Sequence, residues 1–214
     1  REWSGKRWRE HRWAYCRLTE RVDGQIGRVL DALYEAGRDR DTLVVFTSDN
    51  GDMDASHRME HKSTLYEEDC RIPLIVRLPG GQSGGRVERH LVSNGLDLLP
   101  TLCDYAGVRP PLRPFSLSLR PLLEGGAPAG WRTFLPVEAP IGRAVFCERF
   151  KYARYDVGAR SEQLADLVED PGETRNWLND PRHADTIGNL RRVFDETFGG
   201  PRDPEIILRA LPGS

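Results

Sequence analysis

Asp49, Asn50, His57 and Lys62 fall within fourteen consecutive positions and are the residues best equipped for chemistry in this chain. Asp49 and Asn50 set a carboxylate beside an amide carbonyl in Ser48-Asp49-Asn50-Gly51. Two adjacent hard oxygens suit Ca²⁺ or Mg²⁺ better than a soft metal. A cation such as Lys62 arriving beside a metal pair implies an anionic substrate. The plainer account of S-D-N-G taken alone is an Asx turn closed by Gly51. A competing pattern overlaps the segment: His57-Arg58-Met59-Glu60-His61 fits H-x-x-E-H, in which two His one helical turn apart bind Zn²⁺ and the Glu acts as base. That reading requires a helix here, yet D-N-G-D-M-D-A-S before it has the composition of a loop, although Ser56 could cap a short helix. The alternative is a pair of partly exposed loop histidines, which is the preferred reading for His61. Glu67 and Glu68 are adjacent, so on a helix or strand they point apart and read as a solvated charge and an ion pair, with Arg71 as the partner.

The elements that must position these residues are legible on either side. Leu43, Val44, Val45 and Phe46 form a continuous apolar run with the pattern of a parallel strand buried on both faces. It turns polar at Thr47 to Gly51, the strand end where open α/β sheets bind ligands. Ile72 to Val76, entered through Pro73, reads as a second strand of the same mostly parallel sheet. Upstream, Tyr15, Leu18, Val22, Ile26, Val29 and Leu33 recur at helical spacing, and Ala36-Gly37 ends that helix. Downstream come a Gly-rich turn at Gln82 to Gly85, a helix over Leu96 to Tyr105 in which Pro100 is a kink or a first-turn residue, and a Pro-rich linker at Arg109 to Pro114. The period then changes. Arg132 to Val137, Ala144 to Glu148, Lys151 to Tyr155 and Gln163 to Leu167 read as short strands joined by turns, which favours an antiparallel sheet. His183 to Phe198 closes the chain as a helix with Ile187, Leu190, Val193, Phe194 and Phe198 on one side. Trp177, near Asp170-Pro171-Gly172-Glu173, reads as a core plug. Trp3, Trp8 and Trp13 are expected to line a cleft or pack an interface.

The segments S-D-N-G-D-M, a following His, H-K-S-T-L-Y-E-E (from His61) and R-I-P-L-I-V-R-L-P-G (from Arg71) resemble, in order and spacing, the second half of a formylglycine-dependent sulfatase of the alkaline phosphatase superfamily. V-S-N-G-L-D-L-L-P-T (from Val92), S-L-R-P-L-L-E-G (from Ser118), E-R-F-K-Y-A-R-Y-D (from Glu148) and E-Q-L-A-D-L-V-E-D-P-G-E-T-R-N-W (from Glu162) extend the similarity over most of residues 8 to 198, with Ala165 in place of a usual Tyr. The resemblance implies an α/β fold: the C-terminal part of an alkaline-phosphatase-like α/β/α sandwich, with a small antiparallel C-terminal sheet and a closing helix. It implies Asp49 and Asn50 as side-chain ligands of an active-site Ca²⁺, Lys62 as a sulfate contact and His57 as a substrate-pocket histidine. The activity implied is sulfate-ester hydrolysis on a sulfated small molecule or saccharide. A phosphoester or phosphonate hydrolase of the same superfamily is the alternative, and Asn50 in place of a His favours Ca²⁺ over Zn²⁺. The family nucleophile, a formylglycine made from Cys or Ser in C/S-x-P-x-R, is absent from this chain: none of Cys16, Cys70, Cys103 and Cys147 precedes x-Pro-x-Arg. The expectation is therefore a C-terminal portion of a longer protein, inactive by itself, with a non-catalytic remnant or binding module as the reading from another class.

Composition fits an ordinary folded domain: 214 residues, 38% hydrophobic, 30% charged, net charge −2. That length buries one substantial core or a core with a small satellite layer, and the expected division is a partial α/β core over residues 1–125 and a sheet-plus-helix subdomain over 126–214. Near-neutral charge gives no footprint for nucleic acid, and the basic run Arg1 to Arg17 reads as a solvated helix face. No apolar segment approaches a bilayer span. The four cysteines form no C-x-x-C pair. Self-association through an exposed sheet edge is the remaining partner expectation.

Overall fold

The computed structural model describes residues 2–81, 84–111, 114–126, 128–156, 158–159 and 161–200. Gln82 and Ser83 of the Gly-rich turn and Leu112 and Arg113 of the linker lie outside them, as does Arg1 of the basic run. The chain opens with helix α1, Gly5–Glu35, whose N-cap Ser4 accepts from the Arg7 N–H at 3.3 Å. It stops at Ala36, where Gly37 takes the left-handed conformation (φ 64°) that an L side chain resists. Strand β1, Val44–Thr47, follows. A 3-10 turn at Ser56–Arg58 and the short helix α2, Glu67–Cys70, lead to strand β2, Leu74–Arg77.

β1 and β2 pair with each other, and the pairing is antiparallel, in the register Val44↔Arg77 to Thr47↔Leu74. This corrects the expectation of a mostly parallel arrangement for these two strands. A continuous apolar run says that both faces are apolar and nothing about direction. A parallel return needs a crossover, usually a helix laid along the sheet, whereas the segment from Ser48 to Pro73 holds a 3-10 turn and four residues of α-helix. Phe46 and Ile75 are also 39% and 62% exposed, so neither strand is buried on both faces. β2 starts two residues later than expected because Pro73 has no N–H to give the ladder.

Helix α3, Asn94–Ala106, carries Pro100 in its interior, and short α4, Arg120–Leu123, follows. Buried Asp97 organises this region, accepting from the N–H groups of Ser93 (2.8 Å) and Leu117 (3.1 Å) and gripping both terminal nitrogens of Arg132 at 2.5 and 2.6 Å. The second sheet is an antiparallel meander in the order β3, Leu135–Ala139; β4, Gly142–Phe146; β5, Phe150–Tyr155; and β6, Glu162–Asp166. Its tightest point is Gly142, where a Cβ would lie 2.4 Å from the Arg154 carbonyl oxygen. Alternation sends Val145, Tyr152 and Leu164 to one face, against Trp177 and Ile187, Leu190 and Phe194 of helix α5, Ala184–Phe198. Ala144, Phe146 and Ala153 face the other way onto Leu65, with Cys70, Leu91 and Leu96 alongside. The meander is thus covered on both faces, and one cover is the segment that carries the candidate site. Among the described residues no helix is long and apolar enough to cross a membrane.

Candidate active site

Ser48, Asp49 and Asn50 leave the end of β1 as a tight polar turn. The Ser48 hydroxyl donates to the Asn50 carbonyl at 2.7 Å, and the Asn50 N–H donates to Asp49 Oδ1 at 2.9 Å. Two further contacts aim this turn. Asn94, the first residue of α3, donates its side-chain N–H to the Ser48 carbonyl at 2.7 Å, and the Gly51 N–H donates to the Asp69 carbonyl of α2 at 2.8 Å. A Cβ on Gly51 would sit 1.8 Å from the Glu68 carbonyl oxygen, so glycine is required there by the closeness of α2.

Beside the turn is an open depression of about 350 Å³ lined by Asp49, Asn50 and Lys62 together with Tyr15, Asp52 and His61. Asp49 and Lys62 are exposed and Asn50 is half-buried. The structure therefore brings three of the four sequence-nominated residues to one concave surface. His57 is not among its lining residues. Its ring stacks on Tyr66 with centroids 3.9 Å apart, and its Nε2 lies 3.9 Å from Glu68. Tyr15 and Asp52 were not nominated from the sequence. Tyr15 had been absorbed into the apolar stripe of α1, while Asp52 stood in the same polar run as Asp49 and could have been found there. Burial first, and then the Asp52 and Asp54 carboxylates, push the Tyr15 phenol above its ordinary range.

The loop between turn and lysine is unusual in its backbone. Asp54, Ala55, His57, Arg58, His61 and Ser63 all have positive φ, a conformation that side-chain-bearing residues rarely adopt and that clusters at functional sites. Short backbone bonds hold it closed, Met53 N–H to His61 carbonyl at 2.8 Å and Ala55 N–H to Met59 carbonyl at 3.0 Å. The same geometry removes the H-x-x-E-H reading. His57 and His61 are not on one helix, and among the described residues no three His, Cys, Asp or Glu side chains are grouped to hold a metal. Arg71 pairs with Glu67 at 2.7 Å, as its spacing suggested, and Trp177 lies in the core.

Asp49 and Asn50 fit a hard cation in donor chemistry, two neighbouring oxygens at a strand end. Lys62 lines the same depression. Burial is the main cause that pushes the Cys70 thiol up to about 12, which disfavours its thiolate.

The Sulfatase family profile matches residues 2–108. A delta 4,5-hexuronate-2-O-sulfatase from Bacteroides thetaiotaomicron is 34% identical over 211 residues, covering 94% of this chain and 44% of that protein. A solved 2-O GAG sulfatase superposes with a TM-score of 0.83 at 32% identity, over 96% of this chain and 48% of the other. The phosphonate monoester hydrolase of Agrobacterium radiobacter superposes with a TM-score of 0.70 at 30% identity, over 89% and 40%. The chain spans less than half the length of the curated relatives it matches. With half of its residues matched by the family profile and its architecture shared with a sulfatase over nearly all the described chain, the protein belongs to the sulfatase family.

Proposed function

We propose that the depression at the end of β1 holds the sulfate group of a sulfated saccharide for ester hydrolysis. The observation that carries this reading is that Lys62 lines the same concave surface as Asp49 and Asn50. Lys62 would contact the sulfate oxygens as a charge-assisted donor. Asp49 and Asn50 would supply side-chain oxygens to a Ca²⁺, which when bound would neutralise charge on the sulfate. Fixed donors of this kind lower the barrier most when they need not reorganise, and the bonds from Asn94 and Asp69 supply that fixity here. His57 joins the proposal as a flanking side chain, since it rests on Tyr66 beside the loop of Lys62. The attacking group is assigned to none of Cys16, Cys70, Cys103 and Cys147, so the part given to these 214 residues is to hold the anion and the cation. The saccharide class is supported by the hexuronate-2-O-sulfatase among the relatives.

The test is calorimetric titration of the 214-residue chain, in millimolar Ca²⁺, with a 2-O-sulfated uronic acid and with its unsulfated form. Removing one charged hydrogen bond costs about 1.5–3 kcal/mol, so Lys62→Ala is expected to weaken the sulfated ligand at least tenfold and leave the unsulfated one unchanged. Equal affinity of wild type and Lys62→Ala would sink the assignment. The likeness to a phosphonate monoester hydrolase favours one second reading. A phosphonate monoester that binds tighter than the matched sulfate ester, with the same dependence on Lys62, would establish it.

A further inference from the structure

Lys151 lies in the middle of β5 with its side chain wholly buried, and its ammonium is paired with Glu173, whose side chain is 1% exposed. The same ammonium donates to the Leu65 carbonyl at 2.5 Å and lies 5.6 and 5.3 Å from the ring centroids of Tyr66 and Phe146. A carboxylate oxygen of Glu173 accepts the Glu67 N–H at 2.7 Å. Leu65, Tyr66 and Glu67 are therefore all touched by one ion pair that belongs to the C-terminal sheet and its following turn. Just upstream, Thr64 is clasped by Asp69, to which its N–H and hydroxyl donate at 2.6 and 2.5 Å. Residues 64 to 69 are tied together by these bonds, Lys62 is two residues before them, and His57 rests on Tyr66.

Cohesion alone does not account for such a pair. Taking two charges out of water is costly, and well-packed apolar residues of similar volume usually hold a core as firmly. Glu173 adds a left-handed backbone (φ 47°), which a side-chain-bearing residue rarely adopts. What an apolar pair could not reproduce is directional bonding to a carbonyl and an N–H of the segment that follows the candidate lysine. We propose that Lys151 and Glu173 are positioning residues: the C-terminal sheet sets the placement of Lys62 and His57 through this pair. The proposal rests on the reading of Lys62 as the sulfate contact, and one of its tests does not.

The full chain is compared with Lys151→Met, Glu173→Gln and the double variant, reading thermal unfolding, the NMR shifts of the His57 ring and affinity for inorganic sulfate. Stacking on Tyr66 is expected to displace the His57 ring resonances in the wild type. In Lys151→Met that displacement is expected to collapse and sulfate affinity to fall about tenfold, the scale of one lost hydrogen bond to a charged group. The double variant leaves no lone buried charge, so it regains unfolding temperature without regaining the His57 shift or the affinity. If Lys151→Met does not fold, the double variant against wild type makes the same comparison. Unchanged His57 shifts in a folded variant, or shifts and affinity that recover together with stability, would overturn the proposal. A wild type that fails to bind sulfate would count against the Lys62 reading, and the His57 shifts would still decide the positioning role.

Discussion

Asp49 and Asn50 illustrate how far two side chains can go. Asp49 already accepts the Asn50 N–H through Oδ1, so its carboxylate is partly committed to holding its own turn. Ca²⁺ takes about six to eight oxygens, and a pair of neighbours leaves most of that shell to water. The chain is therefore expected to bind Ca²⁺ no tighter than about 1 mM, the weak end of protein calcium sites. Asp49→Ala should abolish even that. Titration followed by the backbone resonances of residues 48 to 52 checks both points. A micromolar site that survives Asp49→Ala would show that other oxygens in this chain, not these, form the cage. The residues nominated from sequence were those whose chemistry is local: a carboxylate, an amide, an imidazole and a lysine in one polar run. Asn94 and Glu173 were missed because their importance is geometric, the one fastening the Ser48 carbonyl, the other the Glu67 N–H across 106 positions of sequence. Nothing in an isolated Asn or in a D-P-G-E turn announces such a partner.

At the scale of elements, periodicity located α5 and the four-stranded meander to within a few residues and the end of α1 at its glycine, whereas α1 begins at Gly5, ten residues before the apolar stripe that starts at Tyr15. β1 and β2 were found but paired in the wrong sense, since apolar runs carry no direction. The loop between them was readable as a loop and no further. Its six positive-φ residues are conformations that sequence does not encode for Asp, Ala, His, Arg or Ser. Two ion pairs tie elements together and give opposite kinds of prediction. Arg132 and Asp97 are almost wholly buried and bidentate, with Arg132 also donating to the Phe115 carbonyl at 2.8 Å. Arg132→Ala strands a buried carboxylate between α3 and the entry to β3, and should destabilise by about 3–5 kcal/mol in urea unfolding. A loss below 1 kcal/mol would mean that water reaches Asp97. Arg149 is half-exposed yet holds Asp166 with three short bonds, and chiefly these bonds lower the Asp166 carboxyl to about 2. A carboxyl lowered by folding contributes stability above its unfolded pKa of about 4, and that contribution is lost as pH falls from there towards 2. Arg149→Ala should therefore lower the melting temperature at pH 6 and flatten its fall between pH 4 and 2, with the effect reduced by the exposure of the arginine. Parallel pH profiles for the two proteins would remove Arg149 from the account.

Across the whole molecule, apolar burial is unevenly shared. Every residue of β4 is buried and α5 contributes Ile187, Leu190 and Phe194 to the core, whereas α1 has no buried residue over its 31 positions. Its stripe is nevertheless regular: Leu18, Val22 and Val29 are 58, 56 and 70% exposed, and Tyr15 continues it. Phe46 and Ile75, cross-strand partners in the β1–β2 pair, add a second apolar surface. A two-stranded ribbon is marginal by itself, and unpaired strand edges beside exposed apolar side chains favour association. The resulting expectation is self-association of this chain through α1 and the β1–β2 pair, while the meander and α5 stay monomer-like in their packing. Sedimentation velocity should show the weight-average mass rising with concentration in the micromolar range. The double variant Leu18→Lys with Val22→Lys, which places two charges in the stripe without touching the β1–β2 pair, should shift that rise to at least tenfold higher concentration. Its circular dichroism should match wild type, because neither side chain is buried in the folded chain. A wild type that remains monomeric throughout this range would show that water covers the stripe and that the α1 surface is no contact between copies.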